Sequence, residues 1–232
     1  DAVGIRPTFL AAAAVMLAST ALVAAFVRGG ARPAGDSRAE NGWAVLACRP
    51  LRTALLLVFA VQAGSMAVQP VIALLVERMG GGAVSLRAGS VFSAAGLASL
   101  VGTPAFASLA RRRAGPWLAL ALAGAGLASV LQALATSVPQ LGAARFGFGF
   151  FQGGASVLAS VLVAQAVEPG RRGSAFGLAS SAWMLGAVAG PVLGGVAAAA
   201  LGLRGPFWFA AALLLALALR LRRAGFYAPE GG

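Results

Sequence analysis

Lysine and histidine are absent from this chain of 232 residues, acidic residues number six, and Cys48 is the only cysteine. Each absence excludes a class of chemistry. Without lysine there is no Gly-x-x-x-x-Gly-Lys-Ser/Thr phosphate loop. With no histidine and one cysteine there is neither a metal-binding cluster, nor a nucleophile–base pair, nor a disulfide framework. The long apolar runs contain no carboxylate, and Glu77 and Glu168 lie at loop edges, so a paired-acid site is excluded as well. The sequence predicts no enzyme, no cofactor and no metal. Charged residues of either sign make up 10% of the chain, too few to clothe an ordinary soluble domain.

Apolar residues make up 59%, with a mean hydropathy of +0.87. Uncharged runs at 7–27, 53–76, 88–110, 146–167 and 173–203 are each long enough to cross ~30 Å of hydrocarbon. The run 114–144 holds Thr136-Ser-Val-Pro139 and reads as one helix before that turn and another after it. The run 205–219 is short, but Arg204 and Arg220 extend it by snorkelling. The predicted spans are 7–27, 53–76, 88–109, 115–135, 140–166, 174–200 and 205–220. The fold class is an all-α membrane protein with seven transmembrane helices.

The net charge of +12 raises the question of nucleic acid, and the placement of arginine answers it. Arg28, Arg32, Arg38, Arg49, Arg52, Arg111, Arg112, Arg113, Arg171, Arg172, Arg220, Arg222 and Arg223 fall in alternate loops; the other loops hold Arg6, Arg78, Arg87 and Arg204. Thirteen against four is a positive-inside asymmetry. It predicts residue 1 outside the cytoplasm and the C-terminus inside, in a multi-pass protein with the lipid bilayer as its first partner. Basicity from arginine alone and heavy alanine use suggest a GC-rich bacterial genome, hence a bacterial inner membrane. Nucleic acid is not a predicted partner. Residues 1–6 carry neither the basic start nor the small-residue cleavage site of a signal peptide, and the chain opens on Asp1. It is expected to be a C-terminal piece of a longer protein.

The longest polar stretch, 28–52, reads as a cytoplasmic linker between one span and a tight six-span unit over 53–223, followed by a cytoplasmic tail at 224–232. Within 31 uncharged residues, 173–203, lies Gly186-Ala-Val-Ala-Gly190-Pro191-Val-Leu-Gly194-Gly195. Glycine costs about 1 kcal/mol and proline about 3 in a helix interior relative to alanine. Several in one membrane helix point to close backbone approach at a small-residue face and a proline bend.

Spaced as Gly-x-x-x-Gly-Pro-x-x-Gly-Gly, this run resembles the antiporter signature of major facilitator superfamily drug exporters of the twelve-helix drug:proton antiporter type. Other motifs carry the same resemblance. Gly4-Ile-Arg6 resembles the entry to that family's sixth helix, and Gln69-Pro70 through Glu77 the end of its seventh. Leu141-Gly-Ala-Ala-Arg145 with Gly147, Gly149 and Gln152-Gly153-Gly154 resembles the arginine-glycine signature of the fourth helix and its tenth-helix counterpart. Arg171-Arg-Gly173-Ser-Ala-Phe-Gly177, leading into the Gly-Pro run, resembles the eleventh. The resemblance covers residues 4–223 and makes 1–27 the last helix of an N-terminal half that is otherwise missing, and 53–223 the C-terminal six-helix bundle. One motif departs: the loop Leu109-Ala-Arg111-Arg112-Arg113-Ala-Gly115-Pro116 has the arginines of the family's second-loop motif but no aspartate. These arginines read as cytoplasmic anchors.

Candidate residues follow, each with two readings. Arg145, Gly149, Gln152 and Ser156 share one helix face; Arg145 either snorkels to the nearer interface or, by resemblance, faces a central cavity. Gln62, Met66 and Gln69 share a face of the second span, as interhelical hydrogen-bonding groups or as cavity lining. Phe148, with Phe146, Phe150 and Phe151, either packs or stacks on a ligand, as do Trp183 and Met184. Gly186, Gly190, Pro191, Gly194 and Gly195 either pack one helix pair within a half or, the favoured reading, pack and gate the interface between two halves. The resemblance implies a secondary transporter exporting small hydrophobic or cationic compounds by alternating access, coupled to protons through an acid in the missing half. The alternatives are an importer or sugar-efflux member of the same superfamily, and a truncated membrane scaffold.

Overall fold

A computed structural model describes residues 5–26, 48–80, 84–110 and 114–223 of this chain. The chain divides into two compact units, Asp1–Glu40 and Asn41–Gly232. In the first, α1 is a 22-residue helix, Ile5–Phe26, with an apolar stretch from Ala13 to Phe26. The expected first span falls on it. The expected linker, 28–52, lies outside the described residues as far as 47, and its end is corrected, since 49–52 are already helical.

The second unit contains α2 (Arg49–Ala67), α3 (Gln69–Arg78), α4 (Val84–Ala110), α5 (Ala114–Leu134), α6 (Val138–Gln165), α7 (Arg172–Leu201) and α8 (Gly205–Arg223). A short turn of 3₁₀ helix, Pro169–Arg171, leads into α7. Six stretches among the described residues are long and apolar enough to cross a membrane, with α2 and α3 together making the first, Arg49–Arg78. From 53 onward the expected spans appear in order, with one difference at 53–76, where two helices meet at Val68. The expected first span is not among the six, its described apolar stretch, Ala13–Phe26, being shorter. Pro70 is the cause of the break at Val68. It has no N–H for the carbonyl of Met66, and its ring crowds that carbonyl, so the helix breaks just before it. Pro104 and Pro191 sit inside unbroken helices. Gly202, at φ 75°, ends α7 in a conformation that side chains with a Cβ rarely adopt.

α4 packs most extensively on α6, α2 on α7, and α5 on both α6 and α8. Small residues make these contacts close. A methyl group at Gly153 of α6 would lie 2.8 Å from the Thr103 hydroxyl of α4, and one at Gly149 would meet the Ala95 carbonyl. The largest core cluster joins Leu57, Phe106, Leu118, Leu122, Phe148, Leu158 and Leu214. A second gathers Ile72, Val76, Leu141 and Phe207 at one end of the unit, and a third, Leu51, Val163 and Ala175. Burial is uneven: along the most apolar stretch of α4 and of α7, 17% of residues are buried, against 44–61% for the other spans.

Candidate functional site

α2, α6 and α7 enclose a cleft of about 190 Å³. Its lining includes Val58, Val61 and Gln62 from α2, Ser156 and Ser160 from α6, and Trp183 from α7. Gln62 is 4% exposed and makes no hydrogen bond to another described residue, so its amide is free on the cleft wall. Ser160 is not free: its hydroxyl donates to the Ser156 carbonyl at 3.0 Å. Trp183 is 47% exposed and supplies the aromatic face. Two hydrogen-bonding side chains beside an indole suit one polar group and one flat apolar group of a ligand, through amide or hydroxyl contacts and stacking.

One turn along α6, the Gln152 amide donates to the Ser65 hydroxyl of α2 at 3.4 Å. This pair tethers α6 to α2 beside the cleft. Met66 and Gln69 are half-buried and stand outside the cleft lining. Met66 packs on α7, where a methyl group at Gly190 would lie 2.6 Å from its Cβ.

Arg145 follows neither reading of the sequence. It is 3% exposed and lies among α4, α5 and α6, with one guanidinium N–H donating to the Gln132 amide oxygen at 3.3 Å. Its guanidinium carbon stands 5.1 Å from the Phe148 ring centre and 5.9 Å from that of Phe92. These cation–π contacts and the Gln132 amide hold the charge, while Nε has no hydrogen-bond partner among the described residues. One face of α6 meets different neighbours along its length. Arg145 therefore reaches α5, Gly149 α4, Gln152 α2 and Ser156 the cleft.

Phe148 is 2% exposed in the main core and has no open face for a ligand, which corrects its stacking assignment. Phe150 and Phe151 make edge-to-face contacts with Phe106 at ring distances of 5.7 and 6.2 Å. Phe146 is 49% exposed.

The glycine run divides by face. Gly186, Gly190 and Gly194 press on α2: a methyl at Gly186 would lie 2.5 Å from the Phe59 carbonyl, and one at Gly194 would meet the Ala67 carbonyl. Gly195 has open space around it, and Pro191 is half-buried. The favoured reading, an interface between halves, is thereby corrected for these three glycines. Their backbone approach is spent on α2 within the same unit. Arg111, Arg112 and Arg113 lie outside the described residues. Sequence reasoning missed Ser65 and Gln132, although Ser65 lies three residues after Gln62 and Gln132 is the one amide in the span 115–135.

Comparison with known proteins bears on this architecture directly. The family model described as Major Facilitator Superfamily matches residues 85–230. The chain belongs to the major facilitator superfamily. The multidrug resistance protein MdtG of Yersinia enterocolitica is 36% identical over 153 residues, covering 64% of this chain and 37% of that protein. MdtG of Escherichia coli is 33% identical over 183 residues, covering 77% and 45%. The chain thus spans less than half the length of these curated relatives. As a superfamily member with six apolar spans among its described residues, it is a multi-pass membrane protein of a transporter family.

Proposed function

We propose that the complete protein is a secondary active exporter of small hydrophobic or cationic compounds, working by alternating access and coupled to protons. The observation that carries this is the cleft of α2, α6 and α7, with the free Gln62 amide and the Trp183 face inside a superfamily fold. The relatives named as multidrug resistance proteins support the substrate class. In this superfamily two six-helix halves rock about a midplane site at their interface. The unit Asn41–Gly232 is read as the second half, and α1 as the last helix of the first. The poorly buried α4 and α7 support a docking face for the rest of that first half. The candidate substrate contacts are Gln62, Ser156 and Trp183, with Gln152 holding the α2–α6 seam. No described span carries a carboxylate away from its ends, so the proton-carrying acid belongs to the first half.

The direct test is transport by the complete protein in proteoliposomes, with a fluorescent lipophilic cation as cargo. The expected result is movement driven by an imposed proton gradient and reduced several-fold by Gln62→Ala or Trp183→Ala. Transport indifferent to the gradient would remove the coupling, and full activity in both variants would remove the cleft assignment.

The thirteen-to-four arginine asymmetry supports an orientation with the α2 start and the α8 end in the cytoplasm. Cys48, exposed at the start of α2, reports on it. With any other cysteine removed, a membrane-impermeant thiol reagent is expected to leave Cys48 unlabelled in intact cells and to label it in inverted vesicles. The reverse pattern would invert the topology.

A further inference from the structure

We propose that the groove between the start of α2 and the end of α8 binds an anionic phospholipid. Its phosphate lies between Arg49 and Arg220, and an acyl chain runs along Leu56 and Leu217. The groove has a volume of about 630 Å³ and is separate from the cleft of α2, α6 and α7. Gln62 is thirteen residues beyond Arg49, roughly 20 Å along the helix axis.

The wall chemistry selects the ligand. Arg49 and Arg220 are both exposed on the lining, and neither has a carboxylate partner among the described residues. α2 and α8 contain no acidic residue, while Arg52, Arg222 and Arg223 add charge at the same ends of these helices. A phosphate oxygen accepts from guanidinium N–H groups in fork geometry, which makes arginine suited to this anion. Away from the arginines the wall is aliphatic: Leu57 and Leu221 form a buried floor, and Leu56, 65% exposed, leaves an open flank. A free inorganic anion uses only the charged end. A phospholipid uses both, with its headgroup at the depth where arginines end an apolar span and its chain in the hydrocarbon. Basic pockets between transmembrane helices are known seats for such headgroups. The ligand class does not depend on orientation; its assignment to the cytoplasmic leaflet rests on the topology proposed above.

The test is native mass spectrometry of the delipidated complete protein with dioleoylphosphatidylglycerol, using dioleoylphosphatidylcholine as the neutral-headgroup comparison. Phosphatidylglycerol is expected to bind more tightly, and Arg49→Gln or Arg220→Gln to weaken it by about fivefold each. Arg78→Gln, at the far end of the same span, is expected to leave binding unchanged. Leu56→Trp fills the groove without altering charge and is expected to weaken binding as well, so the site can still be tested if the arginine variants misfold. Equal affinity for the two lipids, unchanged binding in the Arg49 and Arg220 variants, or an equal loss from Arg78→Gln would overturn the proposal. Displacement of the lipid by millimolar inorganic phosphate would also overturn it, in favour of a free-anion site. None of these readouts requires transport, so failure here is distinguishable from failure of the exporter reading. Cys48 labelling separately decides the leaflet.

Discussion

Arg145 shows how a single charge is held inside an apolar unit. Its guanidinium is shared between the Gln132 amide and two aromatic faces, with no carboxylate against it among the described residues. Removing the amide leaves a buried charge poorly solvated, whereas removing both partners leaves an apolar contact. Gln132→Leu is therefore expected to destabilise by about 3 kcal/mol, and Arg145→Met by about 1–3 kcal/mol. The double variant is expected to cost less than the sum of the two, as read from unfolding midpoints in detergent. Additive losses would show that the two side chains do not act together. The glycines of α7 allow a second comparison at this scale. Gly190→Leu drives a side chain into the Met66 Cβ and the Ala63 carbonyl, 2.6 and 2.7 Å from where its Cβ would lie. Overpacking of this kind costs about 1–3 kcal/mol. Gly195→Ala enters open space and is expected to cost nothing. Equal losses at both positions would contradict the division of the run into two faces.

At the scale of an element, the break between α2 and α3 bends the first span of the unit, and the seam between α2 and α6 lies beside the cleft. Pro70→Ala restores an N–H that bonds the Met66 carbonyl, joining the two helices into one. The expected outcome is an unchanged or higher unfolding midpoint together with slower export, because the bend redirects the end of this span. Undiminished export would show that the bend has no part in transport. Cysteines along α6 test which face is wet. Position 156 is expected to react with a polar thiol reagent, and position 148, whose side chain is buried in the main core, to stay protected. Protection of both would count against the cleft.

For the whole molecule, the informative feature is the unequal burial of its helices. α4 and α7 leave most of their length uncovered in this unit, and α7 presents Val188, Val192 and Val196 at 64–70% exposure. Under the exporter proposal, that surface is the face the first half covers. Bulk added to a packed interface costs about 1–3 kcal/mol, whereas bulk facing lipid costs little. Val188→Trp and Val192→Trp are each expected to reduce export by the complete protein several-fold without lowering its level in the membrane. Unchanged export in both would show that lipid covers this face.

Most of the architecture was legible from hydropathy alone, because a bilayer leaves backbone polar groups no partner but their own helix. Runs such as 88–110 and 146–167 therefore had to be spans, and Pro139 marked where a helix begins, whereas the break before Pro70 falls inside a run that reads as one span. The glycine periodicity of 186, 190 and 194 announced a close helix contact for the same reason, that small residues admit a neighbouring backbone. Which neighbour it was, α2, required the tertiary structure. So did the division of the face of α6, where Arg145 turns to Gln132 and Ser156 to the cleft. Sequence periodicity fixes which residues share a face of one helix. The identity of what that face meets depends on how tilted helices cross, and these crossings are set by contacts between residues as far apart in the chain as Ser65 and Gln152.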